Sequence, residues 1–73
     1  MTPVTRLKPG TTATVVKIGS TEAARAVRLS ALGLVAGATI LLVQRRPAVV
    51  IRVGETSIAV DAEVADEIFV EPV

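Results

Sequence analysis

Aliphatic residues in this chain fall in short alternating runs, broken by glycine, proline or charge, with one helical stretch set among them. Leu7 begins the ordered part, and Lys8-Pro9-Gly10 reads as a turn, since proline presets φ and glycine accepts positive φ. Thr12–Ile18 (TATVVKI) is rich in β-branched residues and reads as a strand. Its apolar phase slips: Ala13 and Val15 alternate, then Val16 and Ile18 do, as a β-bulge would require.

Gly19-Ser20 breaks that strand, and Ser20 or Thr21 can cap a helix through its hydroxyl. Glu22 then falls in the first turn, where the helix dipole favours an anion. Ala23–Leu32 is dense in alanine, arginine and leucine, all good helix formers. Ala24, Val27, Ala31 and Leu32 form one apolar stripe with Leu29 beside it, and Arg25 and Arg28 fall on the other side. That spacing predicts Val27, Leu32 and Leu34 as core. Gly33 occupies the left-handed position that commonly ends a helix, and Leu34 can fold back on the helix end.

Beyond the turn at Val35-Ala36-Gly37, Ala38–Arg46 reads as a strand that Pro47 interrupts. Ala48–Val53 follows as another. Gly54-Glu55-Thr56 turns the chain into Ser57–Val60. Asp61 can cap a helical turn over Ala62–Glu67, and Ile68–Val70 is a last short strand ended by Pro72. Short strands with turns every ~8–12 residues predict a small barrel. The expected class is therefore mainly β: five strands, one inserted α-helix, and a short helical turn before the last strand.

Composition narrows the chemistry. The chain has 73 residues and no cysteine or histidine, so it has neither a disulfide nor a thiolate or imidazole metal ligand. A core this small rarely supplies more than about 3–5 kcal/mol net. Stability must come from dense aliphatic packing or self-association. Hydrophobic residues make up 51% of the chain, with Phe69 the only aromatic. Apolar runs such as Ile40–Val43 end at Gln44-Arg45-Arg46, far short of the ~20 residues a membrane span needs. Met1–Gly10 has no apolar signal core. The simplest reading is a cytoplasmic single domain over residues 1–73 with no membrane insertion. The net charge of +1 gives no strong field for nucleic acid.

Leu7-Lys8-Pro9-Gly10, Val15, Ile18, Arg28-Leu29, Leu32-Gly33-Leu34, Gly37 and Ile40-Leu41 occur in order. Arg45-Arg46-Pro47, Ile51, Val53, Ile58-Ala59-Val60, Ala65, Ile68 and Val70 complete a pattern that resembles the FeoA family. The same domain closes DtxR-type metal-dependent repressors. The resemblance runs from about Leu7 to Val70, and its most specific stretch is RLSALGLVAGATI. It implies a Src-homology-3-like barrel and a role beside FeoB, the ferrous-iron permease with a cytoplasmic G-protein domain.

If Ile40, Leu42, Ile51, Val53, Ile58, Val60, Ile68 and Val70 point inward, then Leu41, Val43, Val50 and Phe69 point outward. Contiguous apolar surface marks a partner site unless the inserted helix covers it. Arg25, Arg28, Arg45, Arg46 and Arg52 could recognise carboxylate or phosphate, or simply form a solvated, paired face. Leu41, Val43, Val50 and Phe69, with Arg25, Arg28, Arg45 and Arg46, are therefore the candidate partner-binding residues. Asp61, Glu63, Asp66, Glu67 and Glu71 offer oxygen ligands, but Fe(II) sites usually add imidazole, and Asp61 has a use as a cap. No metal or cofactor site is assigned. Ser20, Ser30 and Ser57 lack a base, so no catalytic residue is assigned and an enzyme is not expected. The leading function is an accessory protein that binds and modulates the FeoB-type permease, with a homo-oligomer compatible. The alternatives are a nucleic-acid-binding barrel, which would ordinarily carry stacking aromatics, and a regulatory domain excised from a metal-dependent repressor.

Overall fold

In a computed structural model describing residues 1–19 and 22–73, the chain begins with β1 (Thr2–Pro3) and a single 3-10 turn (Val4–Arg6). Then come β2 (Thr12–Ile18), α1 (Ala23–Ala31), β3 (Thr39–Gln44), β4 (Val49–Val53), β5 (Thr56–Val60), α2 (Ala62–Ala65) and β6 (Ile68–Pro72). The strands form one antiparallel sheet in the order β1-β6-β2-β3-β4-β5. The mainly-β class and the inserted helix are as expected, but there are six strands, not five. Thr2 and Pro3 pair with Val70 and Phe69 of β6. Order thus begins before Leu7, because Val4 is fully buried and anchors the N-terminal segment. Ser20 and Thr21, the alternative helix caps, lie outside the described residues.

Inward positions from β2, β3, β4, β5 and β6 meet in one cluster with Val4, Leu7, Leu29, Leu34 and Ala65. Ala13, Val15, Ile40, Leu42, Ile51, Ile58, Ile68 and Val70 are all buried, as period-two alternation requires. Val53 and Val60 pack against the cluster from its margin. The phase slip in β2 is a bulge between Val15 and Lys17, which leaves Val16 exposed and returns Ile18 toward the core. A second bulge, between Leu42 and Gln44, inserts Val43 into β3.

The α1 terminus is built from backbone hydrogen bonds. Leu34 N–H donates to the Leu29 carbonyl at 2.9 Å, and Gly33 N–H to that of Ser30 at 2.9 Å. This is the Schellman arrangement, and it requires the left-handed φ of +94° that Gly33 adopts. It brings Leu29 and Leu34 together in the core.

That closure corrects the expected helix face. Leu29 is the buried residue of α1, with Arg25 and Ala26 half-buried one turn before it. Val27, on the opposite side, is 68% exposed, and Leu32 is 44% exposed. An alanine-rich stripe gains little from burial, whereas a leucine gains about 1.5–3 kcal/mol. Leu29 and Leu34 therefore set the rotation of the helix. Two acidic caps also differ from expectation. Glu22 stands at the N-cap rather than in the first turn, and neither it nor Asp61 makes a side-chain cap hydrogen bond.

Candidate functional site

The outward apolar residues divide into two groups. Leu41 lies opposite Thr12 and Arg52, and Val50 lies opposite Gln44 and Ala59. With bulged Val43 they form an outer patch on β3 and β4. Val43 is exposed, while Leu41 and Val50 are half-buried. Phe69 does not join them, because β2 lies between β6 and β3. Its ring packs beside Gly19, and Lys17 Nζ stands 5.4 Å from its centroid, a cation–π geometry. Phe69 is thus occupied locally by its cross-strand partner Lys17.

The arginines also divide. Arg45 and Arg46 sit in the β3–β4 connection, beside a recess lined by Thr5, Val49, Ala62 and Asp66. There Thr5 Oγ1 donates to Asp66 Oδ1 at 2.6 Å, and Arg45 Nη1 reaches the Leu7 carbonyl at 3.5 Å. Arg25 and Arg28 stand on α1 instead. Arg25 does not lie on a free outer face. Its guanidinium is 2.8 Å from Glu22 Oε2 and 3.8 Å from Glu67 Oε2. The latter oxygen is buried without a hydrogen-bond partner among the described residues, so Arg25 supplies its compensating charge. Arg28 is exposed and has no polar partner among the described residues.

Between α1 and the β5–α2 segment runs a cleft of about 350 Å³. Its walls include Arg25, Arg28, Leu29 and Leu32 on the helix side, and Ile58, Ala59, Val60, Asp61 and Val64 on the other. Sequence reasoning missed this cleft because it assigned Leu32 to the core. Ala59 connects it to the outer patch, since Ala59 lies directly opposite Val50.

The acidic residues do not gather. Asp66 accepts from Thr5, Glu67 faces Arg25, and Glu71 lies 2.9 Å from the Met1 amino group. Among the described residues no group of three or more potential ligating side chains forms a metal site. No helix there is long and apolar enough to cross a membrane.

The accessible features of this compact β-fold are a cleft of mixed polar and apolar lining, the exposed Arg28 and an outer aliphatic patch. A sequence search of curated proteins returned no match. The FeoA domain model, however, matches residues 2–72, and the chain belongs to the FeoA family, whose members are accessory proteins of ferrous-iron transport. An iron uptake regulatory protein, FeoA, is 29% identical, with 99% of this chain and 96% of that one covered at a TM-score of 0.85. The FeoA of Stenotrophomonas maltophilia, solved with zinc and described as a prokaryotic SH3 domain protein, is 28% identical, with coverage of 93% and 87% and a TM-score of 0.81. The IdeR of T. acidophilum is 26% identical at a TM-score of 0.87, but this chain spans only 33% of it. The SH3-like class implied by the family resemblance is therefore the observed one.

Proposed function

We propose that this chain is a cytoplasmic single-domain accessory protein that docks on the G domain of a FeoB-type ferrous-iron permease and modulates transport. The observation that carries the reading is the outer surface of α1. Val27 on α1, and Leu32 and Val35 just past its end, are exposed, and Arg28 has no polar partner among the described residues, in a family tied to ferrous-iron transport. Exposed apolar residues together with a guanidinium that has no partner among the described residues make a surface suited to protein contact. Pull-down of the cognate permease, and of its soluble G domain, in nucleotide-free, GDP and GTP-analogue states tests this. Retention in at least one state is expected. Absence of binding in every state would remove the reading.

The likeness to IdeR supports a second reading, in which the same fold acts as a regulatory domain within a metal-dependent repressor. An upstream in-frame segment encoding a helix-turn-helix would establish it.

A further inference from the structure

We propose that the free edge of β5 is a strand-addition site for an extended partner segment that carries both apolar and acidic side chains. The two ends of the sheet order differ. β1 is two residues long and includes Pro3, both features that discourage further pairing. β5 is five residues long and contains neither proline nor charge. It pairs with β4 in unbroken register from Val53↔Thr56 to Val49↔Val60. Among the described residues no other strand pairs with it.

The hairpin register says which groups are free. Val53 and Thr56 flank a two-residue turn in which Gly54 has φ +60°, and such a closing pair is hydrogen-bonded. Pairs then alternate, so the amides and carbonyls of Ser57 and Ala59 point away from β4. An edge of this kind is commonly covered by a helix. Here α1 stands opposite it but leaves the cleft open between them.

The cleft also specifies the occupant. Leu32 and Val64 offer apolar contact, and Arg28 offers a guanidinium with no partner among the described residues. A carboxylate on the added strand would complete that charge. A second copy of β5 (TSIAV) carries no carboxylate within the strand, only Glu55 and Asp61 at its two ends. Asp61 in the cleft wall disfavours a segment acidic along its whole length. The segment must therefore carry both apolar and acidic side chains, and an added strand can present both, with backbone hydrogen bonds giving affinity and side chains giving choice.

This inference rests on the reading of the chain as a docking protein, but its test is separate. The ¹⁵N-labelled chain is titrated with an acetylated, amidated pentapeptide of alternating valine and glutamate. Saturable shifts at the Ser57 and Ala59 amides are expected, with binding weakened about tenfold when lysine replaces glutamate. Arg28→Glu should reverse that preference. Ala59→Pro removes an outward amide that β4 does not use, so it should keep the fold and abolish the Ser57 shift. If Ala59→Pro fails to fold, the Arg28→Glu reversal still decides. Unchanged Ser57 and Ala59 signals up to the peptide's solubility limit overturn the proposal. So do shifts that appear without peptide as protein concentration rises, which identify a second copy as the occupant. In the permease pull-down, wild-type binding retained by both variants overturns strand addition and leaves docking intact. If wild type does not bind the permease, docking fails and the peptide titration alone decides strand addition.

Discussion

The sheet and α1 use their apolar residues in opposite ways. In β3, β4 and β6 the alternating set Ile40, Leu42, Ile51, Ile68 and Val70 is buried. In α1 only Leu29 is buried, while Val27 and the cap residue Leu32 are exposed. Both regions are aliphatic, yet one spends its hydrophobicity on folding and the other keeps much of it at the surface. The difference teaches that burial, and with it stability, is concentrated in the sheet, while the helix leaves apolar side chains exposed. The sheet holds the fold, and the helix is fixed to it by Leu29 and the turn to Leu34.

Replacing a sheet residue is the most severe way to probe that division. Ile51→Ala opens a cavity at a fully buried site, at a cost of about 2–5 kcal/mol. A core of this size supplies about 3–5 kcal/mol in total. The variant should therefore be largely unfolded by circular dichroism at 25 °C. A urea midpoint close to wild type would mean that stability is not concentrated in the sheet.

Leu29→Ala should act more locally, costing about 2 kcal/mol, the lower end for such truncations. Amide hydrogen exchange should show α1 losing protection while Ile40, Ile51 and Val70 keep theirs. Uniform loss across both regions would break the comparison, because helix and sheet would then be one cooperative unit. Gly33→Ala tests the joint between them. It forces a side chain into positive φ and places its Cβ 3.3 Å from Val53 Cγ1. Left-handed strain alone costs about 1–2 kcal/mol, which should appear as a lower thermal midpoint.

The sheet was largely legible because period-two alternation states its inward face without reference to anything else. Even the β2 bulge showed in the Val15–Val16 phase slip. β1 was not legible, since Thr2 and Pro3 carry no strand pattern and are held by pairing to β6. The helix face was misread because Ala24, Val27 and Ala31 mark a stripe by spacing while Leu29 and Leu34 supply the burial energy. The candidate residues followed the same rule. Alternation placed Leu41, Val43 and Val50 outward, but only the sheet order separates Phe69 from them. The pairing of Arg25 with nearby Glu22 was legible from their spacing, whereas its second contact, to Glu67, was not, because Glu67 lies forty-two residues further on. The cleft was invisible because it lies between elements distant in sequence.

The smallest expected stability effect makes the sharpest test. Val27 is exposed and lies opposite Leu29, so Val27→Ser removes no core contact and exchanges residues of similar helix propensity. Its unfolding free energy should stay within about 0.5 kcal/mol of wild type. If Val27 contributes to docking, the same change should weaken permease binding, because interface truncations are felt where water was excluded. Isothermal titration against the soluble G domain, set beside urea unfolding, separates the two quantities. Weaker binding with unchanged stability places recognition on α1. A stability loss approaching that of Leu29→Ala would instead make Val27 a core residue and erase the contrast between helix and sheet.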